Sequence, residues 1–504
     1  MRKLLLATVA VFSAGIGIVE TAQAQDFPNP GQVTVRLNGR FRFYAEILNQ
    51  SNANNDLQGS ADGLTAQNGY NKLTNYVFTD YGRLFPGFDG VAANGLKYGA
   101  SLEIRIAGAS SGAGGGIYGG TYSQGQARNT LFMNRQWGYV GTDKLGTIRV
   151  GETDAVTSLY ATGTFENFND GGWDGDAPFV LAGNLIPLWP FLDFGPYGIN
   201  QNRVVYLSPQ IYGFDFGVSY APSTASGNDS SGCGTGSGVG TNFITPGGPL
   251  QATLPGVIGT GVAAGGGGVT ATTSTIGAAG ANGQSVAGPG CDALSATPTG
   301  DYTRPRNIWD ALIRYRGSFG DFGIAATAGY LGSGKVAANG GQLPTYHGLG
   351  VGDFGLAVTY GGLSVGGHYL FGQMNGGGEN LNPNGGKQES AWLVGGSYTI
   401  GPVIVGASYF SVDSTGDYTS SLLGGQRHEI GLAAGGTYSI APGLALFVDY
   451  LYGERRQHGF NFISGTNAAS AKGGVGTLTG TDADYTFHNK VTAQVIGTGI
   501  SFAW

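Results

Sequence analysis

The residue types that most often do chemistry are few in this chain, and most are badly spaced for it. Gly-x-Ser-x-Gly, the pattern that lifts a nucleophilic serine on a strained strand-to-helix turn, surrounds Ser110 and Ser364. The chain has 96 glycines in 504 residues. At that density about one such match arises by chance, and neither one joins a strand pattern to a helix pattern. His428 and Glu429 begin a His-Glu-x-x-His zinc motif, but Leu432 stands where the second histidine is required. The Gly-x-Gly-x-x-Gly matches between Gly265 and Gly288 follow no strand and open no helix, so they reflect composition rather than a phosphate cradle. Asp170, Asp174 and Asp176 do not keep the spacing of a calcium loop. No catalysis, cofactor or metal centre is expected.

What remains is a set of charges sorted by position. Arg36, Arg40, Arg42, Arg105 and Arg149 alternate with apolar residues, whereas Glu152, Asp154, Glu166, Asp170, Asp174, Asp176 and Asp193 crowd the stretch 152–200. Parity puts the arginines on one face of their strands and says nothing of where the loop carboxylates go. Arg135 shares parity with Trp137 and Tyr139, and parity alone does not place it.

The elements that must hold these charges are strands. In VTVRLNGRFRFYAEIL, Val33, Val35, Leu37, Phe41, Phe43 and Ile47 alternate with Thr34, Arg36, Asn38, Arg40, Arg42 and Glu46. This is period two over about sixteen residues, longer than the usual strand of about five or six. The phase recurs: Leu102 and Ile104 alternate with Glu103 and Arg105, and Trp309 and Ile313 with Asp310 and Arg314. Short connections rich in Gly, Pro and Asp fall at 89–95, 142–146, 209–213, 317–323, 361–362, 401–402 and 441–443. Seven hairpins with one more strand at each end make about sixteen strands, separated on the other side by long polar loops. The expectation is an all-β, transmembrane antiparallel barrel with short periplasmic turns and long extracellular loops. Tyr44, Tyr220, Tyr330, Tyr360, Tyr398, Tyr409 and Tyr450 near strand ends suit interfacial girdles.

Composition points the same way. Charged residues are only 11% and aromatics 12%, against about 25% charged in an average globule. Mean hydropathy is −0.03, and past the first two dozen residues no apolar run reaches the ~18 residues of a membrane helix. A net charge of −7 and a pI near 5.2 argue against nucleic acid as partner. Residues 1–24 read as a cleaved signal peptide: Arg2 and Lys3, an apolar run from Leu4 to Val19, then Ala22-Gln23-Ala24. Residues 25–504 then form one domain. Within it, 222–303 is a long Gly/Ser/Thr-rich outer loop in which Cys233 and Cys291, exported and alone, have one possible pairing.

The opening strand, the hairpin RQWGYVGTDKLGTIRVGE with the following FENFNDGGWDGD, and the ending VTAQVIGTGISFAW resemble the trimeric general diffusion porins of Gram-negative outer membranes, across the whole chain after the signal. The resemblance implies a homotrimer in outer-membrane lipid and lipopolysaccharide, passing small hydrophilic solutes by diffusion. It implies that the loop after the fifth strand enters the barrel and sets its carboxylates against the wall arginines. It also implies that Ile500, Phe502 and Trp504 form the signal read by the barrel-assembly machinery. The last strand departs in phase: Val491, Ala493 and Val495 are apolar at odd positions, Ile496, Ile500 and Phe502 at even ones. A bulge near Gly497 would reconcile them. Two other readings stay open: a substrate-specific channel of eighteen strands, and a Gly-rich secreted adhesin, which has no need of that ending.

Overall fold

The computed structural model describes residues 28–51, 75–106, 131–165, 172–173, 175, 177–181, 185–191, 198, 201–222, 305–336, 346–375, 381–417, 426–458, 460–462, 466–467 and 489–504. The strands are β1 (Val33–Gln50), β2 (Tyr76–Val91), β3 (Lys97–Ile106), β4 (Leu131–Thr142), β5 (Gly146–Thr153), β6 (Gln201–Leu207), β7 (Phe214–Ala221), β8 (Pro305–Phe319), β9 (Phe322–Lys335), β10 (Gly350–Tyr360), β11 (Leu363–Gln373), β12 (Glu389–Ile400), β13 (Val403–Ser414), β14 (Arg427–Ala441), β15 (Leu444–Gln457), β16 (Phe460–Asn461), β17 (Thr466–Asn467) and β18 (Lys490–Ala503). β16 and β17 make a small separate hairpin. The other sixteen strands close into one antiparallel barrel in sequence order, with β1 meeting β18.

Closure follows from the solvent these strands face. In hydrocarbon every backbone N–H and C=O must be paired within the protein, and a sheet manages this only when it has no edge. Side chains then sort by parity. On β1, Val35, Leu37 and Ile47 are exposed on the outside, while Arg40, Tyr44 and Glu46 are buried inside. On β7, Phe214, Phe216, Val218 and Tyr220 point out and Asp215, Gly217 and Ser219 point in. Short turns join the strands at one end. Gly361 and Gly401 each lead a two-residue turn at φ 56°, the left-handed region that glycine enters without strain.

The closed barrel has the sixteen strands expected, against the eighteen-stranded alternative, while two other sequence expectations change. β18 has no bulge at Gly497: it pairs without register shift to both β1 and β15, with even residues outward throughout. Val491, Ala493 and Val495 are apolar because they face inward into a buried cluster built with the segment that follows β5. Tyr44 belongs to no girdle; it points inward, buried between Tyr81 and Phe447. Tyr220, Tyr330, Tyr360 and Tyr398 do stand exposed on the outer face.

Candidate functional site: a constricted pore

The segment between β5 and β6 folds into the barrel and runs along the inner wall. It begins with one helical turn, α1 (Val156–Leu159). The Thr157 N–H donates to Asp310 Oδ2 at 2.7 Å, and Asp310 also accepts from the Ser219 hydroxyl. Arg203 Nη1 donates to that same Ser219 oxygen at 3.2 Å, tying β6, β7 and β8 to the start of the segment. Farther on, the Tyr160 hydroxyl donates to the Phe216 carbonyl at 3.2 Å, and Arg314 lies 3.9 Å over the Tyr160 ring. Burial, helped by nearby Asp215 and opposed by Arg314, pushes the Tyr160 phenol up to about 12, so it remains a neutral donor. Thr162 meets Thr327 at 2.6 Å, and its carbonyl lies 2.8 Å from His368 Nδ1. Trp173 donates to the Leu432 carbonyl at 3.1 Å, and the Leu188 N–H to Glu429 at 2.6 Å.

Wall glycines make room for this path. A Cβ at Gly217 would stand 2.6 Å from Val156, at Gly395 2.8 Å from Phe165, and at Gly453 2.6 Å from Pro187. At Gly355 it would fall on the carbonyl oxygen of Thr162. All four point inward, so part of the glycine excess is the groove in which the segment lies.

Opposite stands a wall of charge. Arg36, Arg40 and Arg42 face inward on β1, Arg36 paired with Asp89 at 2.6 Å. Arg105 binds Glu103 at 2.6 Å. Glu103 also takes Arg135 at 2.8 Å and Arg83 at 3.7 Å, so one buried carboxylate gathers three guanidiniums. Arg135 reaches Asp154 at 2.9 Å in turn. It faces inward in phase with Trp137 and Tyr139, and a register shift just beyond it, beside Glu103, brings Asn134 to the same carboxylate. Arg149 lies 4.4 Å over the Trp137 ring. On β8, Arg314 and Arg316 each hold Asp215 at 2.8 Å.

Glu152 departs from the pore-lining expectation. The ladder pairs it with Gln136 and Asn202, on the side of β5 that carries the exposed Ile148 and Val150, which is the outward side. Its position two residues after Val150 carried this signal. Glu166, Asp170, Asp174, Asp176, Asp193, Cys233 and Cys291 lie outside the described residues. Glu103 and Arg314 were visible in the alternating stretches, and Asp215 follows the same alternation on β7; the role of all three as hubs depends on cross-strand partners that no single strand reveals. Asp89 stands at the end of β2, where the alternation around it is weak.

At the seam, Phe502 and Trp504 are exposed on the outer face beside Ile500. Ile500 pairs with Phe43 and Phe502 with Phe41, and Trp504 exchanges two backbone hydrogen bonds of 3.1 Å with Gly39.

The profile of the Gram-negative porin family matches residues 7–498. The chain belongs to that family. This porin is an outer-membrane channel protein, and its family is one of channels rather than enzymes. Among solved structures it is similar to the anion-selective porin from Comamonas acidovorans, at 14% identity over 94% of this chain and 100% of that one, with a TM-score of 0.44. It is similar also to the trimer form of OmpT from Vibrio cholerae, at 12% identity over 94% and 99%, TM-score 0.44. The channel DcaP of Acinetobacter baumannii aligns at 11% identity over 95% and 99%, TM-score 0.46. No match was found among curated protein sequences.

Proposed function

We propose that this porin is a water-filled, homotrimeric pore through which small hydrophilic solutes and ions diffuse passively, after a signal peptide ending at Ala24 is removed. The observation that carries the reading is the segment after β5 pinned along the inner wall across from the arginines of β1, β3, β4 and β5. A segment so placed narrows the lumen without closing it, and the narrow part is lined on one side by Arg36, Arg40, Arg42, Arg105 and Arg149. Asp154 faces them, and Glu166, Asp170, Asp174 and Asp176 supply the remaining carboxylates from the segment itself. Charge bias is graded: a unit charge about 8 Å from a passing ion is worth roughly 0.5 kcal/mol in water. Selection then rests on size and charge together rather than on a binding pocket. The outer leaflet's lipopolysaccharide surrounds the trimer, and Ile500, Phe502 and Trp504 hand the chain to the assembly machinery.

Planar-bilayer recording of the purified protein tests this. Stable steps of ohmic conductance in three coupled levels, with a modest reversal potential in a salt gradient, are the expected result. A channel that opens only for one solute, or a protein that conducts nothing, overturns the diffusion reading.

A further inference from the structure

A row of side chains crosses four neighbouring strands at the barrel end away from the short turns. Asp413 on β13 pairs in register with His428 on β14, His428 with Arg456 on β15, and Arg456 with Lys490 on β18. At about 4.8 Å per strand the row is roughly 14 Å long. It lies on the outer face: Val405, Tyr438, Val448 and Ile496, which share parity with these four, are all exposed to the membrane side. One outward step down each strand, about 7 Å, comes the row of Trp392, Ser411, Ile430 and Glu454, and below that Tyr409, Leu432 and Tyr452. Trp392 and Tyr409 pack with ring centroids 5.5 Å apart. Aromatic rings mark the boundary of the hydrocarbon, so the charged row stands at the height of lipid headgroups.

The row borders an open hollow of about 520 Å³, lined among others by Gln426 and His458. Its carboxylates are already answered. Asp413 lies 2.9 Å from His428 Nδ1, accepts from Gln426 at 2.9 Å, and has Lys387 at 3.7 Å. Glu454 has Lys490 at 3.1 Å and the Tyr452 hydroxyl at 3.3 Å. Arg456 has no ion-pair partner among the described residues, and Lys490 keeps more than half of its side chain exposed. An unanswered guanidinium beside an ammonium and two imidazoles, at headgroup height, complements a phosphate: the guanidinium offers a two-pronged grip and the ammonium a point charge.

We propose that this hollow binds a phosphate borne by the headgroup of an outer-leaflet lipid, with Arg456 and Lys490 as the chief ligands and His428 and His458 as further donors. The proposal rests on the outer-membrane placement of the barrel and is independent of what crosses the pore.

The test compares detergent-solubilised full-length protein with diphosphoryl lipid A, with the same lipid stripped of both phosphates, and with inorganic phosphate, by native mass spectrometry. A basic side chain near an anionic lipid surface contributes about a factor of five, so the Arg456→Ala, Lys490→Ala double variant should bind the phosphorylated lipid roughly 25-fold more weakly. It should bind the stripped lipid as the wild type does. Equal binding of both lipids by the wild type, or unchanged binding by the variant, overturns the proposal. Displacement of the lipid by inorganic phosphate at matching concentration makes this a free-anion site and overturns the lipid assignment. Conductance, recorded on the same preparations, should be unaltered by the two substitutions. A wild type that conducts nothing refutes the diffusion reading and leaves the lipid result standing by itself.

Discussion

Replacing Asp310 by Ala should loosen the segment inside the pore while leaving the barrel intact. Asp310 is buried on the inner face of β8, and its two oxygens take the Thr157 N–H and the Ser219 hydroxyl. The substitution orphans a buried backbone donor, at about 1–3 kcal/mol. It also leaves the buried Arg203, joined to Asp310 through Ser219, without its nearby carboxylate. Breaking such an arrangement costs about 3–5 kcal/mol. The two effects meet at the one Asp310 carboxylate and do not simply add, so about 3 kcal/mol is a fair value for the attachment of α1. At 1.4 kcal/mol per decade this raises the detached population about a hundredfold. None of the interstrand ladder is touched, so the barrel should still resist unfolding in detergent. Amide exchange at Thr157 in the reconstituted protein should accelerate by about the same factor, and single-channel traces should show frequent sublevels. Asp310→Asn, which keeps an acceptor for Thr157 but loses the charge, should fall between. Wild-type exchange at Thr157 and quiet channels in the Ala variant would show that the segment is held elsewhere.

Removing Arg40 and Arg42 together to Ala should shift the reversal potential toward cations by about two- to fivefold in permeability ratio in dilute salt, fading in molar salt as the Debye length falls to about 3 Å; an unchanged potential would take these arginines out of the narrow part. Gly355→Ala sets a methyl on the Thr162 carbonyl, and the overpacking of about 1–3 kcal/mol should push the segment toward the lumen and lower unitary conductance. Equal conductance in that variant would mean that the wall yields instead. Deleting Trp504 removes both hydrogen bonds to Gly39 and should sharply reduce assembled porin in outer-membrane fractions, with normal yield as the contrary result. Cys233 and Cys291, in the stretch of sequence between β7 and β8, are expected to be bridged in the exported protein, and reduction should leave the melting midpoint nearly unchanged; titratable thiols in the oxidised protein would refute the bridge.

The barrel was legible because one rule governs every strand. Lipid on one side and a polar interior on the other impose period two, and the short turns carry their own glycines and prolines. That rule also orients Arg36, Arg40, Arg42 and Arg105. It failed where the interior is not water. Val491, Ala493 and Val495 pack beneath the inserted segment, so apolar residues stand on both faces there and the alternation seemed to slip. The path of that segment could not be read, because it depends on wall glycines such as Gly217, Gly355 and Gly395 that are distant in sequence and indistinguishable from the composition around them. Arg135 keeps plain alternation with Trp137 and Tyr139, but aromatics fit a lipid-facing side as well as an inner one, so its face emerges only from the pairing with Glu103 on the neighbouring strand.

The seam between β1 and β18 has a consequence for the order of events in making the protein. The strand that must receive the last residues is the first one synthesised, so no ribosome-bound or truncated chain can complete the circle. Until β18 has paired with β1 the sheet has two raw edges, each able to recruit another chain. A frameshift or early stop anywhere therefore yields no smaller working pore, only an unfinished ribbon for the periplasm to destroy. Closure of the wall therefore waits on the pairing of β1 with β18, a single checkpoint for all sixteen strands.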